Sequence, residues 1–170
     1  MAFPDVMLGP EPPVKGYMIY GHTETGYWFD ALGWVAYFFA QVEWAAYVVV
    51  EKLEAPADRL RSSKLLFKAR CQRADVLMAA HVKDAQLADE WSEFWADAIA
   101  AAPMRNKILH NPFTLGLDGR DVATEHDGIK LIQDAGQPVL KLGRVQTYNE
   151  QLSALVRRMH ELFSRTQLPL

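Results

Sequence analysis

One short segment of this 170-residue sequence brings together side chains that could act on an anionic group. Arg105 and Asn106 are adjacent, and His110 closes the run RNKILH. An imidazole can take up and release a proton near neutral pH, whereas a guanidinium stays charged and presents several donors to oxygen atoms. These three residues are therefore the candidate catalytic set.

The position of this segment is set by a long amphipathic helix that begins near Asp84. Continued past Pro103 at 100° per residue, the helix places Arg105 and Asn106 on the same side as its tryptophans. A charge on a buried side needs a partner or a purpose, because an unpaired buried charge is costly. Pro112 biases the preceding residue away from helical geometry, so His110 is expected near the helix C-terminus, where the helix dipole raises its proton affinity.

The motif resembles the Arg-x4-6-His signature of the HEPN superfamily, because it reads RNKILH, is followed by NPF and lies late in the third long helix of a small bundle. The resemblance implies a bundle that forms a homodimer with both motifs facing one cleft. It also implies a metal-independent endoribonuclease of toxin or defence type, with RNA as substrate, an antitoxin-like protein as a possible partner and no cofactor.

The resemblance further implies a role for each residue. His110 would move protons as a ribose 2′-hydroxyl attacks the neighbouring phosphate, Arg105 would stabilise charge on phosphorus, and Asn106 would orient the histidine or a phosphate oxygen. Two alternatives stay open. In one, the cleft binds a nucleotide, RNA or a protein without chemistry; in the other, Arg105 and Asn106 pair between helices and His110 caps the helix.

A second group of basic residues could follow a phosphate backbone. Arg61, Lys64 and Lys68 fall on one stripe of a helix predicted over residues 58–81, so they are the candidate substrate-binding residues. The same stripe is also typical of an ordinary solvated helix face. Asp58 is the expected N-cap of this helix.

Hydrophobic periodicity predicts a mainly all-α fold, a four-helix bundle with a small β-hairpin before the last helix. Residues 1–26 are rich in proline and glycine and are expected to form an irregular arm, and residues 27–170 form the bundle domain. The expected elements are helices over residues 27–53 and 58–81, a third from residue 84, a hairpin pairing 128–133 with 138–142, and a last helix capped by Thr147 and Glu150.

Composition narrows the classes of function. The net charge of −3 gives no overall attraction to nucleic acid, so any phosphate binding must be local. The single cysteine, Cys71, excludes an internal disulfide and a cysteine-cluster metal site, which favours a cytoplasmic protein without a bound metal. The first helix is apolar almost all round but is interrupted by Asp30, Gln41 and Glu43, which argues against a membrane span. Its aromatic residues indicate either a homodimer or the central helix of a monomer.

Overall fold

The computed structural model describes residues 22–109, 114–117, 129–132 and 142–166. Within these residues the fold is mainly all-α, as predicted, with five helices and one pair of short strands. The elements are α1 (His22–Leu53), α2 (Pro56–Ser63), α3 (Phe67–His81), α4 (Ala85–Leu109), β1 (Thr114–Leu117), β2 (Ile129–Ile132) and α5 (Leu142–Thr166). α1 begins five residues before the expected start, and the rest of the predicted arm, residues 1–21, lies outside the described residues.

Helix α1 is the element against which the other long helices pack. It contacts α5, α3 and α4, while α4 also contacts α3 and α5. The main core lies between the C-terminal half of α1 and α3, α4 and α5, with Trp91 and Trp95 stacked at its centre. A second cluster joins the N-terminal half of α1 to the end of α4 and the start of α5. The helix pattern of the sequence therefore produces one continuous set of packed helices.

The predicted single helix over residues 58–81 is wrong, because the chain breaks it into α2 and α3. Leu66 adopts an extended conformation at the start of α3, and the Arg70 guanidinium donates to the carbonyls of Ser63 and Leu65. These bonds satisfy carbonyl groups that a helix end would otherwise leave without partners. Asp58 is also not the N-cap; Ala55 takes that position, with Pro56 as the first helical residue.

Helix α4 starts as expected and continues through its proline. Asp84 Oδ1 accepts hydrogen bonds from the backbone N–H groups of Gln86 (2.9 Å) and Leu87 (3.2 Å), which fixes the helix N-terminus. Pro103 lies inside the helix and cannot donate to the preceding turn. The Tyr148 hydroxyl on α5 donates to the Ala101 carbonyl at 2.8 Å and ties this part of α4 to α5.

The last helix and the strands differ from the sequence prediction in their boundaries. α5 begins at Leu142, so Thr147 lies inside it and donates to the Gly143 carbonyl instead of forming a capping box. β2 falls within the predicted first strand, but it pairs antiparallel with β1, opposite Thr114–Leu117. The expected partner over residues 138–142 is wrong at its end, because Leu142 is helical, and its other residues lie outside the described ones.

Candidate functional site

Two of the three candidate catalytic residues lie in the last turns of α4, and the third, His110, lies outside the described residues. Arg105 is partly exposed, and one of its guanidinium nitrogens donates to Asn106 Oδ1 at 3.0 Å. Asn106 itself is exposed, and the fully buried residue of this turn is Ile108. The expectation that Asn106 faces the buried side is therefore wrong, because beyond Pro103 that side of α4 has shifted to Ile108.

Arg105 reaches across to α1, where it meets a carboxylate and an aromatic ring. Its Nη2 lies 4.0 Å from Glu43 Oε2, and its guanidinium carbon lies 4.9 Å from the centre of the Phe39 ring. The Arg105 side chain remains 23% exposed. The guanidinium is thus held between two helices while part of it faces solvent.

A second guanidinium, that of Arg70 on α3, approaches the same carboxylate. Arg70 Nη1 lies 3.5 Å from Glu43 Oε1, and its guanidinium carbon lies 3.5 Å from the centre of the Tyr47 ring. We call Glu43, Arg70 and Arg105 the arginine cluster. Its three side chains, from α1, α3 and α4, carry two positive charges and one negative charge.

Arg70 is the most deeply buried member of the arginine cluster, since the residue is only 4% exposed. Its Nη2 group donates to the carbonyls of Ser63 and Leu65, but its Nε and Nη1 atoms make no hydrogen bond with the described residues. A buried cation with unused donors is electrostatically costly and is stabilised by a nearby anion. The Glu43 carboxylate therefore stabilises Arg70 in this buried position.

Sequence patterns do not identify Glu43 and Arg70 as members of this site. In the sequence, Glu43 interrupts an apolar helix, and Arg70 lies outside the basic stripe. Each of these residues is a charged residue in a mostly apolar helical segment, and such residues usually pair with an opposite charge. This pattern could have indicated that Glu43 and Arg70 contact each other. Their common partner was not readable from spacing, since the three residues come from different helices.

The candidate substrate-binding residues are only partly brought together. Arg61, Lys64 and Lys68 are all exposed, but the break between α2 and α3 removes the single helical stripe. Arg61 and Lys64 line one shallow pocket of about 480 Å³, and Lys68 is not among its lining residues. Because the Arg70 guanidinium binds the carbonyls on both sides of Lys64, this basic patch borders the arginine cluster.

A buried carboxylate directly after the end of α1 has a clearly structural environment. Glu54 is 3% exposed and accepts hydrogen bonds from Arg73 at 2.6 Å on both oxygens and from the Ser62 hydroxyl at 2.8 Å. The Arg73 hydrogen bonds are the main cause that lowers the pKa of Glu54 to about 2, against the opposing effect of burial. This network joins the end of α1 to α2 and α3.

Other side chains with reactive groups offer less. Burial raises the pKa of the Cys71 thiol to about 12, so it stays protonated and unreactive at neutral pH. Within the described parts of the chain, no group of three His, Cys, Asp or Glu residues could hold a metal ion. A cavity of about 510 Å³ lies between α4 and α5, with Asp97 and Arg158 ion-paired at 2.9 Å among its lining residues. Arg105 does not line it, although its neighbour Met104 and its interaction partner Tyr148 do.

Comparison with known proteins adds no constraint on this site. No family model matches the chain, and no curated protein or solved structure matches it significantly.

Proposed function

We propose that the protein is a HEPN-like, metal-independent endoribonuclease that acts in the cytoplasm as a homodimer. The proposal takes α1, α3, α4 and α5 as the four long helices of a HEPN-type bundle. The observation that carries it is the arginine cluster, which holds Arg105 of the motif and a second guanidinium, that of Arg70, at one carboxylate while leaving the Arg105 side chain 23% exposed. An RNA phosphate is the kind of group that such charge attracts.

The proposed chemistry assigns one task to each residue of the motif. His110 takes the proton from a ribose 2′-hydroxyl as the oxygen attacks the adjacent phosphorus, and a proton returns to the leaving 5′-oxygen. Arg105 stabilises the charge on the phosphoryl oxygens. Asn106, which already accepts a hydrogen bond from Arg105, helps to fix the guanidinium. The products are a 2′,3′-cyclic phosphate and a 5′-hydroxyl, and the reaction uses no metal ion.

The test is cleavage of single-stranded RNA by the full chain in the presence of EDTA. We expect products that end in a 2′,3′-cyclic phosphate, and we expect His110→Ala to lower the rate by about 10²–10⁴-fold. His160→Ala is the matched control, because His160 is an exposed residue of α5 outside the motif. An inactive parent protein, or a His110→Ala variant as active as the parent, would contradict the proposal.

A second candidate function is a non-catalytic module that binds RNA, a nucleotide or a protein. The specific observation in its favour is that Arg105 lies against Glu43 and Phe39, because this contact also suits a residue that joins α4 to α1. This alternative predicts saturable RNA binding without turnover, retained in His110→Ala. Loss of folding in Arg105→Ala, with no RNA binding by the parent, would favour a purely structural pair.

A further inference from the structure

The outer side of α1 exposes more apolar surface than a water-facing helix normally carries. Between residues 27 and 47, ten residues are exposed and only one of them, Asp30, is charged. We call this surface the aromatic face. It consists of Tyr27, Phe29, Trp34, Tyr37, Trp44 and Tyr47, with Asp30, Gly33, Ala36 and Ala40 between them.

The size of the aromatic face is that of a protein interface. Its six aromatic residues are between 42% and 62% exposed. Because an aromatic side chain offers roughly 200 Å² of surface, these six alone present about 600 Å². The largest apolar patch of an ordinary monomer covers about 300–600 Å², and a stable interface takes about 800 Å² from each partner. With the small residues between the rings, the face approaches that interface size.

We propose that the aromatic face of α1 docks on the same face of a second copy, with the two helices antiparallel. The first argument is charge. Asp30 lies near the start of the face, and Glu51 and Lys52 lie beyond its end; all three are exposed on this side of α1. Asp30 and Lys52 are about 33 Å apart along the axis, so they cannot pair within one helix. Antiparallel pairing brings each Asp30 to the partner's end that carries both Glu51 and Lys52, whereas parallel pairing sets the two Asp30 charges together.

The second argument is the shape of the aromatic face. Gly33, Ala36 and Ala40 form low positions between the rings of Trp34, Tyr37 and Trp44. A face that alternates large and small residues can receive the rings of a second copy in its own low positions, as in the packing of ridges into grooves. A twofold axis makes such a surface self-complementary.

A membrane fits the same face less well. The segment Tyr27–Leu53 is long and apolar enough to cross a bilayer, a property that core helices share. Helices that lie on membranes are rich in Lys and Arg along their polar side. Lys52 is the only basic side chain, Lys or Arg, in the sequence of α1. The charge pattern therefore favours a protein partner.

This dimer does not depend on the proposed ribonuclease activity. If the protein is such a ribonuclease, the aromatic face is where the two protomers of the homodimer would contact each other. Glu43 and Phe39, which contact Arg105, lie about 120° around α1 from the middle of the aromatic face. Tyr47 at the end of the face contacts the Arg70 guanidinium, so pairing through this face would place each arginine cluster beside the seam.

The test measures the mass and self-association of the full chain by analytical ultracentrifugation, without RNA. We expect the parent to be a dimer at micromolar concentration, and the double variant Trp34→Glu, Tyr37→Glu to associate at least about 100-fold more weakly, since two buried charges would face the seam. Val76→Glu is the matched control, because Val76 is a 58% exposed apolar residue on α3. Circular dichroism checks that each variant stays helical.

Charge reversal tests the orientation. In the antiparallel dimer, Lys52→Asp weakens association because each Asp30 then faces two carboxylates, and adding Asp30→Lys restores it. In a parallel dimer, adding Asp30→Lys would not restore it, because the two altered positions lie at opposite ends of the pair. A monomeric parent, an unchanged Trp34→Glu, Tyr37→Glu variant, or a monomer that co-sediments with vesicles of anionic phospholipid would each overturn the proposal.

Discussion

Glu43 on α1 and Glu54 just after its end are eleven positions apart, and both contact arginine side chains. The two carboxylates differ in burial and in the number of hydrogen bonds they accept. Glu54 is fully enclosed and receives three hydrogen bonds, from Arg73 and Ser62, so its charge is balanced by well-aligned donors. Glu43 is 32% exposed along its side chain and faces two guanidiniums at 3.5 and 4.0 Å. The first arrangement uses ionic groups to hold helices together, whereas the second holds two guanidiniums beside one partly exposed carboxylate.

The contrast between Glu54 and Glu43 distinguishes a structural ion pair from a candidate binding site within one fold. A structural pair satisfies its donors and acceptors inside the protein, because a half-satisfied buried group is costly. In the arginine cluster, Arg70 Nε and Nη1 form no hydrogen bond with the described residues, and the guanidinium of Arg105 is partly exposed. We therefore expect the arginine cluster around Glu43 to contribute to function and the hydrogen bonds of Glu54 to contribute to stability.

The largest expected effect is a loss of RNA cleavage, which should follow a mutation in the arginine cluster but not one in the Glu54 network. Arg105→Ala should lower RNA cleavage by about 10²–10³-fold, because it removes a donor to the charged transition state. Arg73→Ala should leave cleavage within about twofold while lowering the free energy of unfolding by about 2 kcal/mol, since it strips the partner from a buried carboxylate. Cleavage rates and urea unfolding of both variants check this. Equal loss of activity in the two variants would mean that both arginines act through stability.

The sequence predicted the helical fold well and the site only in part. Apolar periodicity located α4 and α5, a long and almost uniformly apolar segment located α1, and Asp84 marked the start of α4. The break between α2 and α3 was missed because residues 64–66 contain neither glycine nor proline. It depends on Arg70, a side chain that reaches back from the following helix.

The candidate site was harder to predict for a physical reason. The motif places Arg105 and Asn106 by local spacing, but the groups that surround Arg105 come from α1 and α3. Such contacts depend on how helices pack and not on the periodicity of any one helix. The prediction for Asn106 was wrong because, beyond Pro103, the buried residue of α4 is Ile108 and Asn106 is exposed.

Acid should weaken the Glu54 site in a defined pH window. Hydrogen bonds from Arg73 hold the pKa of Glu54 at about 2, below its usual value of 4.5. A carboxyl with a lowered pKa in the folded state stabilises the protein above the unfolded pKa and loses this contribution as pH falls toward the folded value. We expect a loss of about 3 kcal/mol between about pH 5.5 and pH 2 from this group.

Urea unfolding across that pH range, with the parent and Glu54→Gln side by side, isolates the contribution of this one carboxyl. The acid loss should be smaller in the variant, because the amide that replaces the carboxyl does not titrate. Parallel stability curves for the two proteins would show that other carboxyl groups cause the loss.

At neutral pH, Glu54→Gln should lower the free energy of unfolding by about 2 kcal/mol. The cost stays below that of a fully buried pair because Arg73 is 38% exposed along its side chain and water can hydrate it. Glu51→Gln, an exposed change on α1, should stay within about 0.5 kcal/mol. Chemical unfolding of the parent and the two variants checks this difference. Similar free energies of unfolding for the two variants would contradict the structural role of Glu54.

The smallest expected effect is a gain of RNA binding, and it tests the arginine cluster around Glu43. Glu43→Gln removes the carboxylate that faces both arginines, so RNA should bind about fivefold more tightly, equivalent to about 1 kcal/mol. Fluorescence anisotropy with a short single-stranded RNA measures this, and Glu51→Gln reports the effect of losing any negative charge on α1. The gain over Glu51→Gln should shrink as salt is added, because screening weakens exposed charges. Weaker RNA binding by Glu43→Gln would instead mean that this carboxylate positions the arginines, so that Glu43, like Glu54, serves to hold helices together.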